Sequence, residues 1–178
     1  MSVANCTSFG RGVYVLTGLS SFTGNGTTSA TGVTFVLTCS TRMGNVTLPS
    51  LCLPGQSGGS IEVKGGATVN VSMDSPPFYA NICLGLAIVS DPNNTGGISV
   101  SGNNGNGNNG NGNSGRLNVT GSIYLQSGTL TYGGGPAFTV DGNILVGNYA
   151  GNGNNGVLHA QGCNNGAGPP GGGVHLLH

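Results

Sequence analysis

One pattern, apolar-x-apolar-x-Gly, recurs in the second half of the chain at 98–102, 117–121, 138–142 and 158–162, offset by 19, 21 and 20 residues. It reads Ile98-Ser-Val100-Ser-Gly102, Leu117-Asn-Val119-Thr-Gly121, Phe138-Thr-Val140-Asp-Gly142 and Leu158-His-Ala160-Gln-Gly162. Two copies run on past the glycine, Gly121-Ser-Ile123-Tyr-Leu125 matching Gly142-Asn-Ile144-Leu-Val146. Alternation of this kind marks a strand with one buried face, and the glycine bends the strand without ending the pattern. A unit of about 20 residues cannot bury its own apolar face, whereas a stack of such units can. Near the start, Tyr14-Val-Leu-Thr17 returns as Phe35-Val-Leu-Thr38, 21 residues on. The expected fold is therefore all-β, a β-solenoid-like stack of short strands. The alternative is a β-sandwich or jelly roll with a strand donated between subunits, because regularly spaced strands look alike in all of these.

The same alternation predicts strands over 13–17, 32–39, 45–48, 60–64, 67–72, 82–90, 98–101, 116–125, 129–132, 137–146 and 157–161, each bounded by Gly, Pro, Asn or Ser. Only 79–89 reads equally as a short helix, and Gly85 with the β-branched pair Ile88 and Val89 tips it to strand. Three regions follow: an N-terminal β region over 1–97, a repeat-containing β region over 98–162 holding a Gly/Asn tract at 102–115, and a Gly/Pro-rich tail over 163–178. The tract has no apolar residue and reads as a flexible loop, or as amide ladders between stacked copies.

Charge narrows the partners. Only Arg11, Arg42, Lys64, Arg116, Glu62, Asp74, Asp91 and Asp141 are charged, 4% of residues against about 25% in ordinary domains. Four scattered cations make neither the basic stripe a nucleic acid needs nor a polybasic membrane anchor. With 36% hydrophobic residues the chain has material for a core, and with zero formal net charge its copies repel one another little. Glycine, at 37 of 178 residues, follows no collagen period, and no run of about 18 apolar residues could span a membrane as a helix. Residues 1–10 lack the charged and apolar regions of a secretory signal, which leaves a trimmed signal or another route outward, such as virion assembly.

Five cysteines show no C-x-x-C pair and no tight metal spacing. In an oxidising compartment Cys6, Cys39, Cys52 and Cys83 are the disulfide candidates, with the pairing open, and Cys163 in the tail is a candidate intermolecular thiol. The other reading is that all five are buried or unpaired thiols. Sequons occur at Asn5, Asn25, Asn45, Asn70, Asn93 and Asn118. Of these Asn25, Asn93, Asn118 and Asn5 are the glycosylation candidates, while Asn70 lies inside a strand pattern.

Chemistry is poorly supplied. The two acids nearest in sequence, Glu62 and Asp74, lie twelve residues apart, no G-x-S-x-G surrounds a serine, and no Lys-Ser/Thr follows the glycine tract. The set His159, Cys163, His175 and His178 has ligand types but the spacing of no common metal site. No catalytic, cofactor or metal residues are assigned, and no cofactor is expected. A flat rank of threonines, as an ice-binding solenoid presents, is represented only by Thr129-Leu-Thr131.

Two resemblances point the same way. The stretch 117–162, centred on Phe138-Thr-Val-Asp-Gly-Asn-Ile-Leu-Val-Gly-Asn148, resembles the β-helical repeats of bacterial autotransporter adhesins. The stretch from Gly44-Asn-Val-Thr-Leu-Pro-Ser50 to Gly58-Gly-Ser-Ile-Glu-Val-Lys64 is similar to phage and large-virus fibre proteins. Both imply an exposed, elongated β appendage. The expected function is a non-catalytic structural subunit of an extracellular filament or virion-surface fibre. Its expected partners are copies of itself and, as a second class, glycans, with neither nucleic acid nor an inserted membrane. Either the N-terminal run or Val174-His-Leu-Leu177 would dock on a neighbour's sheet edge. The alternative is a secreted adhesive or carbohydrate-binding β module.

Overall fold

The computed structural model of the chain describes residues 6–73, 85–102, 114–133, 137–152, 157–161 and 174–176, with side chains for these other than 137, 152, 157–161 and 174–176. All regular structure among them is β. In chain order the strands fall into successive circuits. The first holds β1 (Ser8–Phe9), β2 (Gly12–Leu16) and β3 (Leu19–Phe22). The second holds β4 (Thr27–Thr31), β5 (Val33–Leu37), the pair β6 (Cys39–Met43) and β7 (Val46–Ser50), and β8 (Ser60–Val63). The third holds β9 (Thr68–Ser72), β10 (Leu86–Ser90) and β11 (Ile98–Ser101). Next come β12 (Arg116–Thr120) with the long β13 (Ser122–Gly133), then β14 (Ala137–Asp141) with the long β15 (Ile144–Asn152), and last β16 (Val157–Gln161) and β17 (Val174–Leu176).

The first strands of the circuits make a six-stranded sheet, β1-β4-β9-β12-β14-β16, and the others a nine-stranded path, β2-β5-β10-β13-β11-β8-β3, with β15 beside β13 and β17 beside β15. Every pairing in both sheets is parallel; β6 with β7 and the isolated bridge Gly102–Ser114 are the antiparallel contacts among the described residues. The nine-stranded path bends along one strand: β13 pairs β10 through Ser122–Tyr124 and β11 through Leu130–Gly133. Strands of adjacent circuits thus lie side by side in three stacks.

Register follows the repeat read from sequence. Leu117 pairs Val69 on one side and Phe138 on the other, and Phe138 pairs Leu158. Ile123 pairs Ile144 and Leu125 pairs Val146, the two extended copies superposed. Tyr14 pairs Phe35, as their 21-residue offset predicts. One copy departs: Ile98 joins the nine-stranded path opposite Leu130 and Ile61 instead of stacking with Leu117. The motif states only that alternate residues are buried and a turn follows, a requirement every stack shares.

Parallel strands covered on one face bury alternate residues, and the three stacks turn those residues toward one another. Val69, Val71, Leu117, Val119, Phe138 and Val140 from the six-stranded sheet meet Phe35, Ile88, Ile123, Leu125, Ile61, Ile98 and Leu130 from the other in one core cluster. At its β1–β3 end this core is filled by rings. Phe9 lies edge-on to Tyr14 at 5.1 Å, to Phe35 at 5.3 Å and to Phe22 at 6.3 Å between centroids, so that β1, β2 and β3 each contribute one aromatic.

Sequence reading finds strands at β2, β5 and β7 to β16 and misses β1, β3, β4 and β6, while β17 lies in the segment 174–177 that it reads as a docking strand. Ser/Thr-rich runs such as Thr27-Thr-Ser-Ala-Thr31 show no apolar alternation, yet Thr28 and Ala30 are buried between their neighbours in the sheet. Strands from both sides of residue 97 pair directly, β8 with β11 and β9 with β12. The readings of 79–84, of tract residues 103–113 and of tail residues 162–173 lie outside the described residues.

Candidate functional site

Three kinds of surface stand out, and the register builds each of them. The first is the pair of outer strands. β2 ends one side of the nine-stranded path and β3 the other, and no described strand pairs with their outer edges. Natural edges are commonly blunted with charge or proline. Here β2 carries Val13, 67% exposed, and Val15, 45% exposed, and β3 opens with Leu19, 52% exposed. Val15 heads an outward row that continues through Val36, Val89, Tyr124 and Leu145. This face of the sheet is apolar along most of its length.

The second surface is the β6–β7 hairpin between β5 and β8. Met43-Gly44-Asn45-Val46 makes its tip, with Gly44 in the left-handed region at φ 62°, which a side chain would resist. Met43, Val46, Leu48, Leu51 and Leu53 are all exposed. A two-stranded hairpin is marginal alone, and this one is tied down at its base. Cys39 is disulfide-bonded to Cys52. Asp91, buried at the same base, accepts hydrogen bonds from the backbone N–H of Cys52 at 3.3 Å and of Asn93 at 2.9 Å, while the Thr38 hydroxyl donates to the Ser50 carbonyl at 2.7 Å.

The third surface is polar. β3, β8, β11 and the second half of β13 turn outward a row in which Ser21, Glu62, Ser99 and Thr131 are register partners. The Ser21 hydroxyl donates to Glu62 Oε2 at 2.8 Å, and Lys64 Nζ lies 2.9 Å from the same oxygen. The hydrogen bond from Lys64, then that from Ser21 and the charge of Lys64, hold the Glu62 carboxyl below the usual carboxylate value against a desolvation that acts the other way. Beside this row lies a shallow trough of about 210 Å³ bordered by Leu19, Ser60, Glu62 and Thr129. Its approaches are fixed by the fully buried Asn94, whose Oδ1 accepts from Gly58 and Gly96 N–H, each at 2.8 Å, and whose Nδ2 donates to the Gly59 carbonyl at 2.9 Å.

The residues singled out in sequence separate. Of the disulfide candidates, Cys39 and Cys52 are joined and Cys6 is a free, half-buried thiol whose Sγ lies 3.2 Å from the Ser8 carbonyl. Cys83, Cys163 and Asn5 lie outside the described residues. Asn25 is exposed in the turn before β4. Asn93 is exposed too, though its Nδ2 donates to the Cys52 carbonyl at 3.1 Å. Asn118 faces outward from β12 and donates to Asn70. Val174–Leu176 pairs with Ile144–Val146 of its own chain. Among the described residues no three His, Cys, Asp or Glu side chains gather where they could hold a metal, and no helix is long and apolar enough to cross a membrane.

The hairpin and the trough were not found from sequence. A signal for the first existed: Gly-Asn between two short runs, flanked by Cys39 and Cys52, is hairpin chemistry. The trough had none, because Glu62, Ser99 and Thr131 meet only through long-range register. Comparison with family models, curated proteins and solved structures finds no match to this chain.

Proposed function

We propose that this chain is a β-solenoid of three strand stacks, and that it serves as a non-catalytic structural subunit of an extracellular filament or virion-surface fibre, joined to its copies by strand-to-strand contacts. The observation that carries the reading is the apolar open edge of β2. Its backbone N–H and C=O groups have no described strand on their outer side, and Val13 and Val15 of the same strand stand exposed. An apolar edge such as the five residues of β2, which carry no charge between Gly12 and Leu16, invites pairing with another chain, and a head-to-tail contact that does not close a ring gives a filament. The solenoid reading is supported by parallel pairing at offsets close to one circuit, Arg116 with Ala137 and Ala137 with Val157. The bridge between Cys39 and Cys52 favours an oxidising, extracellular setting.

The test is electron microscopy of the purified chain under non-reducing conditions, beside a Val13→Lys/Val15→Lys variant that puts two charges on the edge. Wild-type filaments lost in the variant, with the β signature in circular dichroism kept, are expected. Wild-type protein that stays monomeric at every concentration tried, or filaments indifferent to the two lysines, would defeat the proposal.

A further inference from the structure

We propose that the polar trough over β3, β8, β11 and β13 is a binding site for a neutral, extended oligosaccharide laid across the strands. The argument starts from register. Leu19 pairs Ser60, and Thr129 lies two positions before Thr131, so Leu19, Ser60 and Thr129 border one side of the trough while Glu62, Ser99 and Thr131 run along the other. Between Ser60 and Thr129 the row is interrupted at Gly97, which has no side chain and no room for one, because a Cβ there would overlap the Thr129 carbonyl.

Its volume, about 210 Å³, equals roughly seven waters at ~30 Å³ each, which suits one sugar ring and falls below the ~300 Å³ of a typical drug-sized pocket. Polar groups recur from strand to strand at about 4.8 Å, so a ligand laid across the strands meets Ser60 on β8, Ser99 on β11 and Thr129 and Thr131 on β13 in turn. That favours a chain of sugars over a compact molecule.

The lining chemistry selects the ligand. Serine and threonine hydroxyls both donate and accept, as sugar hydroxyls do. An ionised carboxylate offers about four acceptor positions. Ser21 and Lys64 both engage Oε2 of Glu62, and Glu62 also lines the trough, so a pair of neighbouring sugar hydroxyls can donate to its other acceptor positions. Because Lys64 balances Glu62, the site carries no net charge to recruit phosphate or sulfate groups. Leu19, half exposed at the rim, offers aliphatic surface to the C–H face of a ring.

The experiment measures binding of cellohexaose, chitohexaose and a sulfated heparin hexasaccharide to the full chain by calorimetry, with Thr131→Val and Glu62→Gln as variants. Thr131→Val keeps a β-branched residue of nearly the same shape in a strand, and circular dichroism checks both folds. Saturable binding of at least one neutral hexasaccharide, weakened tenfold or more by each substitution, is expected. No binding of either neutral sugar at millimolar concentration, binding of the sulfated sugar alone, or affinity unchanged in both variants overturns the site. Filaments are scored separately on the same samples, so their absence bears on the assembly proposal and leaves this one standing.

Discussion

Asn118 and Asn70, 48 residues apart in sequence, are register partners on the outer face of the six-stranded sheet, where the Asn118 side-chain amide donates to Asn70 Oδ1 at 2.8 Å. The row they occupy continues to Ser29 on one side and Thr139 on the other. A part-exposed amide pair of this kind contributes on the order of 1 kcal/mol. Asn118→Ala and Asn70→Ala should each lower unfolding free energy by about that much, and the double variant by less than the sum of the two, as read from urea titrations in a double-mutant cycle. Both are sequon asparagines, and a glycan on the Asn118 nitrogen, the donor of this bond, would compete with it. Peptide mapping of protein secreted from a glycosylating cell should find Asn118 bare; occupancy at Asn118 would contradict the hydrogen bond.

Close approach of neighbouring strands gives Gly97 a second consequence. A Cβ there would overlap the backbone carbonyl of Thr129, and one at Gly59 would overlap that of Leu16. In neither place is the obstacle a side chain that could swing away. Gly97→Ala should therefore destabilise by about 1–3 kcal/mol or more, while Gly18→Ala, with open space around the added methyl, should change stability by less than about 0.5 kcal/mol. Thermal melts of the two variants side by side decide it: equal melting temperatures would mean the strands can part at Gly97 without loss.

Reduction of the Cys39–Cys52 bridge opens a 13-residue separation. Chain-entropy arguments assign about 3 kcal/mol to a loop of this size. The effect should nonetheless be local, because the described contacts of β6 are with β7 and the core stacks lie elsewhere. Hydrogen exchange with and without reductant should show protection lost over 40–51 and kept over the Leu117 to Val119 core strand. Loss of protection across both regions would show that the bridge holds the whole fold.

How much of this was legible in the sequence depends on whether the information is local. Leu117, Phe138 and Leu158 declared their stacking through a repeated spacing, and Tyr14 with Phe35 did the same, because a repeat states its own register. The strand Thr27–Thr31 was illegible, since threonine and serine alternate with nothing apolar except Ala30 and reveal their buried face only beside Val69 and Val71. The polar row was illegible for a stronger reason. Glu62, Ser99 and Thr131 are brought together across intervening stretches of unequal length, 37 positions from Glu62 to Ser99 and 32 from Ser99 to Thr131, and no spacing in the sequence predicts which hydroxyl falls beside which carboxylate. The two outward faces likewise differ by single residues, Val36 and Val89 on one and Ser99 and Thr131 on the other, all at positions an alternation rule treats alike.

Glu62 supplies the pH dependence. Its hydrogen bond from Lys64, with help from Ser21, lowers its folded pKa below the 4.5 of the free side chain. A carboxylate whose folded pKa is depressed adds stability above the unfolded value and loses it as pH falls through the folded one. The contribution should be full at neutral pH, start to fade below 4.5 and be gone once the folded form is protonated. Its size is that of a surface pair, about 0.2–1 kcal/mol, and salt screens part of it. Glu62→Gln should therefore be slightly less stable than wild type at pH 7, equal to it in strong acid, and closer to it at pH 7 in high salt. Urea midpoints at the two pH values and two ionic strengths check all three. A deficit in Glu62→Gln that widened as pH fell would have the wrong sign for a carboxylate held charged by Lys64, and would place the origin of the effect in another group.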